Sequence, residues 1–402
     1  MTRSRSAERR AQKLPLEGLL VADFSRVLAG PLCTQFLADA GARVIKIEEP
    51  EHGDETRRWG PPFLRGVSAY FLSVNRNKES VAVDLTSPAG RQVAKKLIAR
   101  SDVIVDNFLP AQRRKLGLDN IRRGNPRSIH CSISGFDSDT SDAETPGYDL
   151  LAQAASGLMA ITGEPDGEPV KTGVALSDVL TAHYAAGAIC AALYAREKTG
   201  RGARIEVSLF SSTIASLVNV AQNALVTGEE ATRWGNAHPS IVPYQVFHGS
   251  DRAFAIGAGT DRHFAYLCEV IGRPDLLEDQ RFETNATRVE HRDELVPQLD
   301  TMFRTRPAAD WVERCRRVSI PVALVQGVRE ALESAPGRVL VVALDHPEGG
   351  RYEAVRNPIL FSGTRFPIRS APPLLGEHTQ SVMRELGITS ASSTRRGAPR
   401  RK

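Results

Sequence analysis

The sequence predicts an α/β protein: a large, doubly wound open-sheet domain combined with a smaller α+β domain. Three observations predict it. Short apolar runs that read as strands alternate with segments that read as capped helices from residue 14 to about residue 209. The first strand–helix–strand unit is about 30 residues long, the length of a right-handed crossover between parallel strands. From about Thr232 the texture shifts to proline, histidine and short alternating strands, and strand patterns return after residue 326.

Taken in order, Leu19-Leu20-Val21-Ala22-Asp23 is the first strand. Gly30-Pro31 opens a helix that ends near Gly41, with proline in the first turn where its missing N–H costs nothing. Val44 to Glu48 is the second strand and Val81 to Asp84 the third. Ser87 caps the next helix, with Pro88 at its first position. Val103-Ile104-Val105, ending at Asp106-Asn107, and Ile129 to Ile133 are further strands. Residues 147–163 and 178–199 read as helices, the second ending at Lys198-Thr199-Gly200, a cationic last turn before a glycine stop. Ala203 to Leu209 alternates as a strand, and a helix follows to about Thr227. The result is a Rossmann-like sheet with helices on both faces. Such sheets bind ligands beyond the C-terminal strand ends, so Ser25-Arg26, Asn107 and Ser134 are expected on one rim.

In the smaller domain, 241–247 and 253–256 alternate as strands, with charged helices around 261–273 and 289–304. The boundaries expected are a basic disordered leader (1–13), a large domain (14–231), a small α+β domain (232–325), a return to the large domain (326–388) and a basic disordered tail (389–402). The net charge of +5 resides in the two ends, which leaves the body slightly acidic. A basic binding face is thereby disfavoured, and no specific nucleic-acid partner is expected. No apolar run of about 18 residues appears, so no membrane span is expected. Five scattered cysteines without a CxxC pair read as reduced thiols in the cytoplasm. The Arg- and Ser-rich start also suits a transit peptide, which keeps a mitochondrial location as the alternative. None of the nine histidines stands in zinc-site spacing.

There is no Walker A motif and no GxSxG elbow, and Arg262 occupies the third glycine position after Gly257-Ala258-Gly259. Nucleotide hydrolysis, NAD chemistry and serine hydrolysis lose support. Asp178, where a long apolar helix begins, is the most suggestive carboxylate. N–H groups at a helix start favour an ionised carboxylate, which can attack an activated acyl group. From position alone, the ordinary reading is an N-cap aspartate, which is very common at helix starts.

The segments DFSRVLAGP (23–31), GARVIKIEEPEHGDETRRWGPP (41–62), SVNRNKESVAVDL (73–85), DNFLP (106–110), PGYDLLAQAASGLMAITGE (146–164), GVALSD (173–178), EKTGRGARIEVSLF (197–210) and PPLLGEHT (372–379) together resemble the family III CoA-transferases, from about Leu14 to Gly387. The resemblance implies that Asp178 is the catalytic aspartate, acylated in turn through mixed anhydrides and an aspartyl–CoA thioester. It implies a CoA thioester as substrate, no permanently bound cofactor, and an interlocked homodimer. By position, Leu28, Ala29, Asn107, Phe108, Lys115, Ser134, Gly135 and Phe136 would meet CoA. Gly257 and Gly259 would belong to the loop that covers the intermediate, although a simple turn is the other reading.

Two features depart from the family pattern. Residues 137–144 carry four acids where the family has a glycine-rich stretch, which would repel an anionic ligand unless those side chains pair or point away. The stretch around Ala335-Pro336-Gly337 is contracted. Related α-methylacyl-CoA racemases carry their proton-transfer histidine where this chain has Tyr148, a poor base at neutral pH. A racemase-like enzyme and an inactive CoA binder are the alternatives to transfer. The stretch 233–245 resembles the transferases that use succinyl-CoA and dicarboxylates such as glutarate or hydroxymethylglutarate. Arg233 or His238 would hold the distal carboxylate, a surface role being the alternative for Arg233.

Overall fold

The computed structural model describes residues 13–118 and 124–388; the leader up to residue 12 and the tail 389–402 lie outside the described residues. Six strands form one wholly parallel sheet: β1 (Leu20–Asp23), β2 (Arg43–Glu48), β3 (Lys78–Ala82), β4 (Val103–Asp106), β5 (Ile129–Ser134) and β6 (Arg204–Ser208). Their spatial order is β3-β2-β1-β4-β5-β6. This is the order of the doubly wound dinucleotide-binding sheets, and it reverses between β1 and β4.

Alternate strand residues serve opposite faces. Val21, Val44, Val103 and Val105 pack with Leu37 of α1 (Ala29–Asp39) in one core cluster, while Ala22, Ile45 and Ile104 pack in a second. Leu97 of α3 joins the second cluster, where α2 is Ala69–Val74 and α3 is Pro88–Arg100. Further helices are α4 (Pro110–Leu116), α5 (Asp149–Ala155), α6 (Leu176–Thr199) and α7 (Leu209–Ser216). Ile189 and Leu193 of α6 pack into the first cluster. By length and composition α6 would pass for a membrane span, yet its Arg196 is buried and bonded to Asp102 at 2.9 Å.

Several elements differ from expectation. The third strand starts at Lys78 rather than Val81, because its buried side is polar: Lys78 and Ser80 face the interior and find partners there. The helix expected over 147–163 stops at Ala155, with Gly157 at φ +86°. The helix expected to reach Thr227 breaks where Val218 adopts φ +45°.

The chain divides into two compact units. The first holds the residues up to Leu158, Thr172–Asn219 and those from Val339 on; the second holds Met159–Lys171 and Val220–Arg338. The second unit is wider than the expected 232–325, and the return begins at Val339 rather than 326. A hairpin of two strands, Val341–His346 and Gly350–Val355, opens that return. Within the second unit, β7 (Tyr244–His248), β8 (Ala253–Gly257) and β9 (Val322–Leu324) form an antiparallel sheet in the order β9-β8-β7. Phe303 packs its ring 4.8 Å from Phe247, 5.2 Å from Phe254 and 5.5 Å from Trp311, forming an aromatic core. In the first unit, β10 (Val341–His346) pairs antiparallel with β11 (Gly350–Val355).

Candidate active site

The C-terminal ends of β1 and β4 flank the point where strand order reverses, and a buried ionic network shapes the loop there. Lys46 of β2 and Lys78 of β3 are fully buried. Lys78 donates to Asp23, to the Pro31 carbonyl at 2.8 Å and to Asn75 at 3.0 Å. Burial pulls its pKa down to about 8 in spite of Asp23. Lys46 donates to the Ser25 carbonyl at 2.7 Å and pairs with Asp54 at 2.8 Å. Burial opposes the charge on Asp54, but the Lys46 ammonium prevails and holds that carboxyl at about 2.

Asp54 in turn accepts from the Val27 N–H at 3.2 Å. Val27 has φ +71°, a left-handed conformation that a β-branched residue adopts only under constraint. Its neighbour Arg26 is clamped from β4: Asn107 accepts from the Arg26 N–H at 3.0 Å and donates to the Arg26 carbonyl at 2.9 Å. The Asn107 side chain therefore ties two strand ends together. Buried Asp106 accepts from the Phe108 N–H at 3.2 Å and pairs with His130 at 2.6 Å, which anchors the next residue of the rim.

These loops enclose a cavity of about 210 Å³ lined by, among others, Val27, Ala29, Asn107, Phe108, Ser134 and Asp178. Arg26 and Glu55, paired at 2.7 Å, and the exposed Tyr148 also line it. One wall depends on two glycines packed backbone to backbone: a Cβ on Gly135 would fall 2.5 Å from the Gly147 Cα.

Asp178 is the third residue of α6, not its cap; Ala175 holds the cap position and makes no side-chain capping bond. The expectation that helix N–H groups keep Asp178 ionised is corrected here. Asp149, the first residue of α5, accepts from the N–H groups of Ser177 at 2.8 Å and Asp178 at 3.3 Å. Asp178 is left with a hydrogen bond from the Ala29 N–H, which is outweighed by burial and then by the Asp149 charge; its pKa is pushed up to about 7. The same two carboxylates, after burial, push the Tyr70 phenol up to about 12, which places Tyr70 in their electrostatic reach.

Of the residues expected at a CoA site, Ala29, Asn107, Phe108, Ser134 and Gly135 share the cavity with Asp178. Leu28 is buried, Lys115 is exposed on α4, and Phe136 packs its ring 5.6 Å from Phe210; none of the three lines the cavity. The acidic loop is partly neutralised. Glu144 pairs with Arg114 at 2.7 Å and accepts from the Ala111 N–H at 3.1 Å, Asp137 accepts from Ser211, and Asp139 and Asp142 are exposed.

The remaining candidates belong to the second unit. Arg233 donates to the carbonyls of Glu164 at 3.1 Å, Ala160 at 3.0 Å and Gly167 at 2.7 Å. Three of its five donors thus fasten 159–171 into that unit, a role the sequence did not signal. His238 accepts at Nδ1 from the Ser240 N–H at 3.0 Å and packs on Tyr244. Gly257 and Ala258 donate their N–H groups to the Pro321 and Pro243 carbonyls, while Gly259 has only an Ile241 methyl within 4 Å of a built Cβ. The missed features at the site are Asp149, Tyr70, Asp54 and the backbone of Val27. Val27, Asp54 and Asp149 stood inside segments that carry the resemblance, whereas Tyr70 stood outside them.

Comparison with known proteins identifies the family. The pattern of the family described as CoA-transferase family III matches residues 16–379. A succinyl-CoA:glutarate CoA-transferase of Mus musculus is 42% identical over 376 residues, 92% of this chain and 86% of that protein. A succinate–glutarate CoA-transferase of Agrobacterium fabrum is 38% identical, covering 95% of this chain and 98% of its own. The crystal structure of a CAIB/BAIF family protein from Brucella suis is similar with a TM-score of 0.83 and 38% identity, over 93% of this chain and 100% of that one. An Rv3272 structure from Mycobacterium tuberculosis gives 0.81 at 29% identity, over 91% and 98%. With a match across nearly the whole body and the parallel sheet and reversal point in place, the chain belongs to CoA-transferase family III and is a transferase enzyme.

Proposed function

We propose that this enzyme moves CoA from succinyl-CoA to a dicarboxylate of the glutarate or hydroxymethylglutarate kind, with Asp178 as the nucleophile. The observation that carries the reading is a partly buried carboxylate opening into a cavity at the strand-reversal point. The names of the similar transferases support the substrate pair. The Asp178 carboxylate attacks the thioester carbonyl, giving a mixed anhydride and CoA thiolate. The thiolate attacks the aspartyl carbonyl, releasing the donor acid and leaving an Asp178–CoA thioester. The acceptor carboxylate attacks that thioester, and the thiolate then collapses the second anhydride to the new acyl-CoA and free Asp178. Ala29, Phe108, Ser134 and Gly135 shape the cavity that receives the thioester end of CoA, while Asn107 keeps its rim in place. Arg233 is a poor candidate for the distal carboxylate, given its three carbonyl partners.

Intact-protein mass spectrometry with succinyl-CoA and a borohydride or hydroxylamine trap tests this reading. A change mapped to the Asp178 peptide is expected; labelling by other acyl-CoA donors only would discard the donor, and no labelling by any would discard the mechanism.

We also infer a homodimer in a reducing, cytoplasmic setting. Tyr148, Leu150, Leu151, Tyr184 and Tyr194 on α5, α6 and the segment before them are large apolar side chains left exposed on one chain, and all five cysteines are free thiols. Light scattering on purified protein is expected to return twice the 43.8 kDa chain mass; a monomer would sink the inference.

A further inference from the structure

We propose that Asp149 is a positioning residue of the transfer reaction: it caps the helix that carries the nucleophile and sets a fixed like charge beside it, so that acylation of Asp178 relieves a repulsion. The inference rests on Asp178 being the nucleophile. Three N–H groups converge on the Asp149 carboxylate: Ser177 at 2.8 Å and Asp178 at 3.3 Å on one oxygen, and the Gln153 side chain at 2.6 Å on the other. Gln153 is buried and its orientation is set, because its own oxygen accepts from the Thr172 N–H at 2.9 Å. The N-terminal donors of α6, which would otherwise stabilise a charged Asp178, are spent on Asp149.

The groups that face Asp178 are few. Asp149 comes from α5, the Tyr70 phenol from α2 and the Ala29 N–H from the start of α1, while Arg26 and Glu55 line the shared cavity as a mutual pair. Asp149 is the charge that acts directly on it. In the free enzyme the Asp149 carboxylate sits on the first-turn N–H groups of the helix that carries Asp178, including that of Asp178 itself. When Asp178 becomes an anhydride or a thioester its charge is gone, and the repulsion with it. Asp149 therefore raises the basicity of the resting nucleophile and favours the acylated states over the free carboxylate.

Asp149→Asn is the test, because asparagine still accepts from the two helix N–H groups and is itself a good cap. The acid limb of the pH profile of kcat/KM is expected to move down by about one unit, as it does when a like charge is removed. The new amide meets the Gln153 amide donor in place of an oxygen, so a lowered melting temperature with the fold retained is expected beside it. The rate in the plateau is expected to fall, and less CoA adduct to accumulate at equilibrium with succinyl-CoA. Asp149→Glu is expected to restore the wild-type limb in part. An unmoved limb in a folded Asp149→Asn enzyme would overturn the proposal. Carbon-13 NMR titration of the Asp178 carboxyl in free enzyme separates this from the parent reading. If Asp178→Asn keeps full transfer activity while the titration still shifts in Asp149→Asn, the nucleophile assignment fails but the coupling stands. If Asp178 proves to be the nucleophile and its titration is unmoved, the role of Asp149 fails alone.

Discussion

Asp178→Ala is expected to abolish CoA exchange, with a fall in kcat on the order of 10⁴-fold or more, the scale seen when a covalent nucleophile is removed. Circular dichroism is expected to remain that of the parent, since Asp178 does not cap its helix and its carboxylate accepts from the Ala29 N–H rather than from the helix N–H groups of the described residues. The isosteric Asp178→Asn adds a thermodynamic signature. In the folded chain burial and the Asp149 charge push this carboxyl up to about 7, against about 3.9 in the unfolded chain. Between those values the native state holds a proton that the unfolded state has released, so stability falls as pH rises from 4 to 7 and is level above. Asparagine has no such loss. The variant is therefore expected to match the parent near pH 4 and to exceed it at pH 8, by about 1–3 kcal/mol once partial exposure is allowed for. Urea titrations at the two pH values decide it. Residual exchange above one per cent of the parent rate, or equal stability at both pH values, would contradict the assignment. An inactive variant more stable than its parent is the expected mark of a site that stores unfavourable charge for function.

Asp54→Ala is the second large effect. Asp54 and Lys46 are a fully buried pair. Removal of Asp54 leaves the buried Lys46 ammonium with the Ser25 carbonyl and the charges of Asp23 and Glu48 but without its direct ion-pair partner, and breaking a buried pair typically costs about 3–5 kcal/mol. The loss is local as well as global. Asp54 also accepts from the Thr56 N–H and hydroxyl at 2.9 and 2.7 Å, and from the Val27 N–H. Without it, Val27 has no reason to stay at φ +71°, and the loop that lines the cavity relaxes. A urea midpoint lowered by that amount is expected, together with a raised KM for acyl-CoA. Because the Asp54 pKa is depressed to about 2, its contribution is whole above pH 4 and is lost as pH falls towards 2. The gap between parent and variant should therefore narrow in acid. A gap that stays constant down to pH 2 would show that the pair is not the source.

Much of the sheet was legible because its signals are local. Apolar runs marked β1, β2, β4 and β5, Pro31 and Pro88 marked helix starts, and Gly200 marked a helix end. The third strand was misplaced because its inner positions are Lys78 and Ser80, residues that read as solvent-facing unless their partners are known. Those partners, Asp23 and Glu48, lie 55 and 32 residues away. Asp178 was legible from a family resemblance rather than from its surroundings. Its true setting was not, since the group that caps its helix sits 28 residues earlier on another helix. Arg233 misled for a related reason: a guanidinium beside Trp and His suggests an anion, and nothing local reveals three carbonyls waiting about 70 residues upstream.

The division into two units has a consequence for how the molecule is made. The chain changes unit four times, after Leu158, Lys171, Asn219 and Arg338. Neither unit is therefore an uninterrupted stretch. As the polypeptide leaves the ribosome, the six-stranded sheet is complete at Ser208, but the hairpin that ends at Val355 and the Arg369 side chain that bonds to the carbonyls of Ala38, Gly41 and Ala42 arrive last. The second unit meanwhile closes on Met159–Lys171, a strip synthesised well before the rest of it. No single cut yields one intact half, and a gene cannot exchange either unit as a cassette. Substrate preference in such a chain has to evolve by substitution in place.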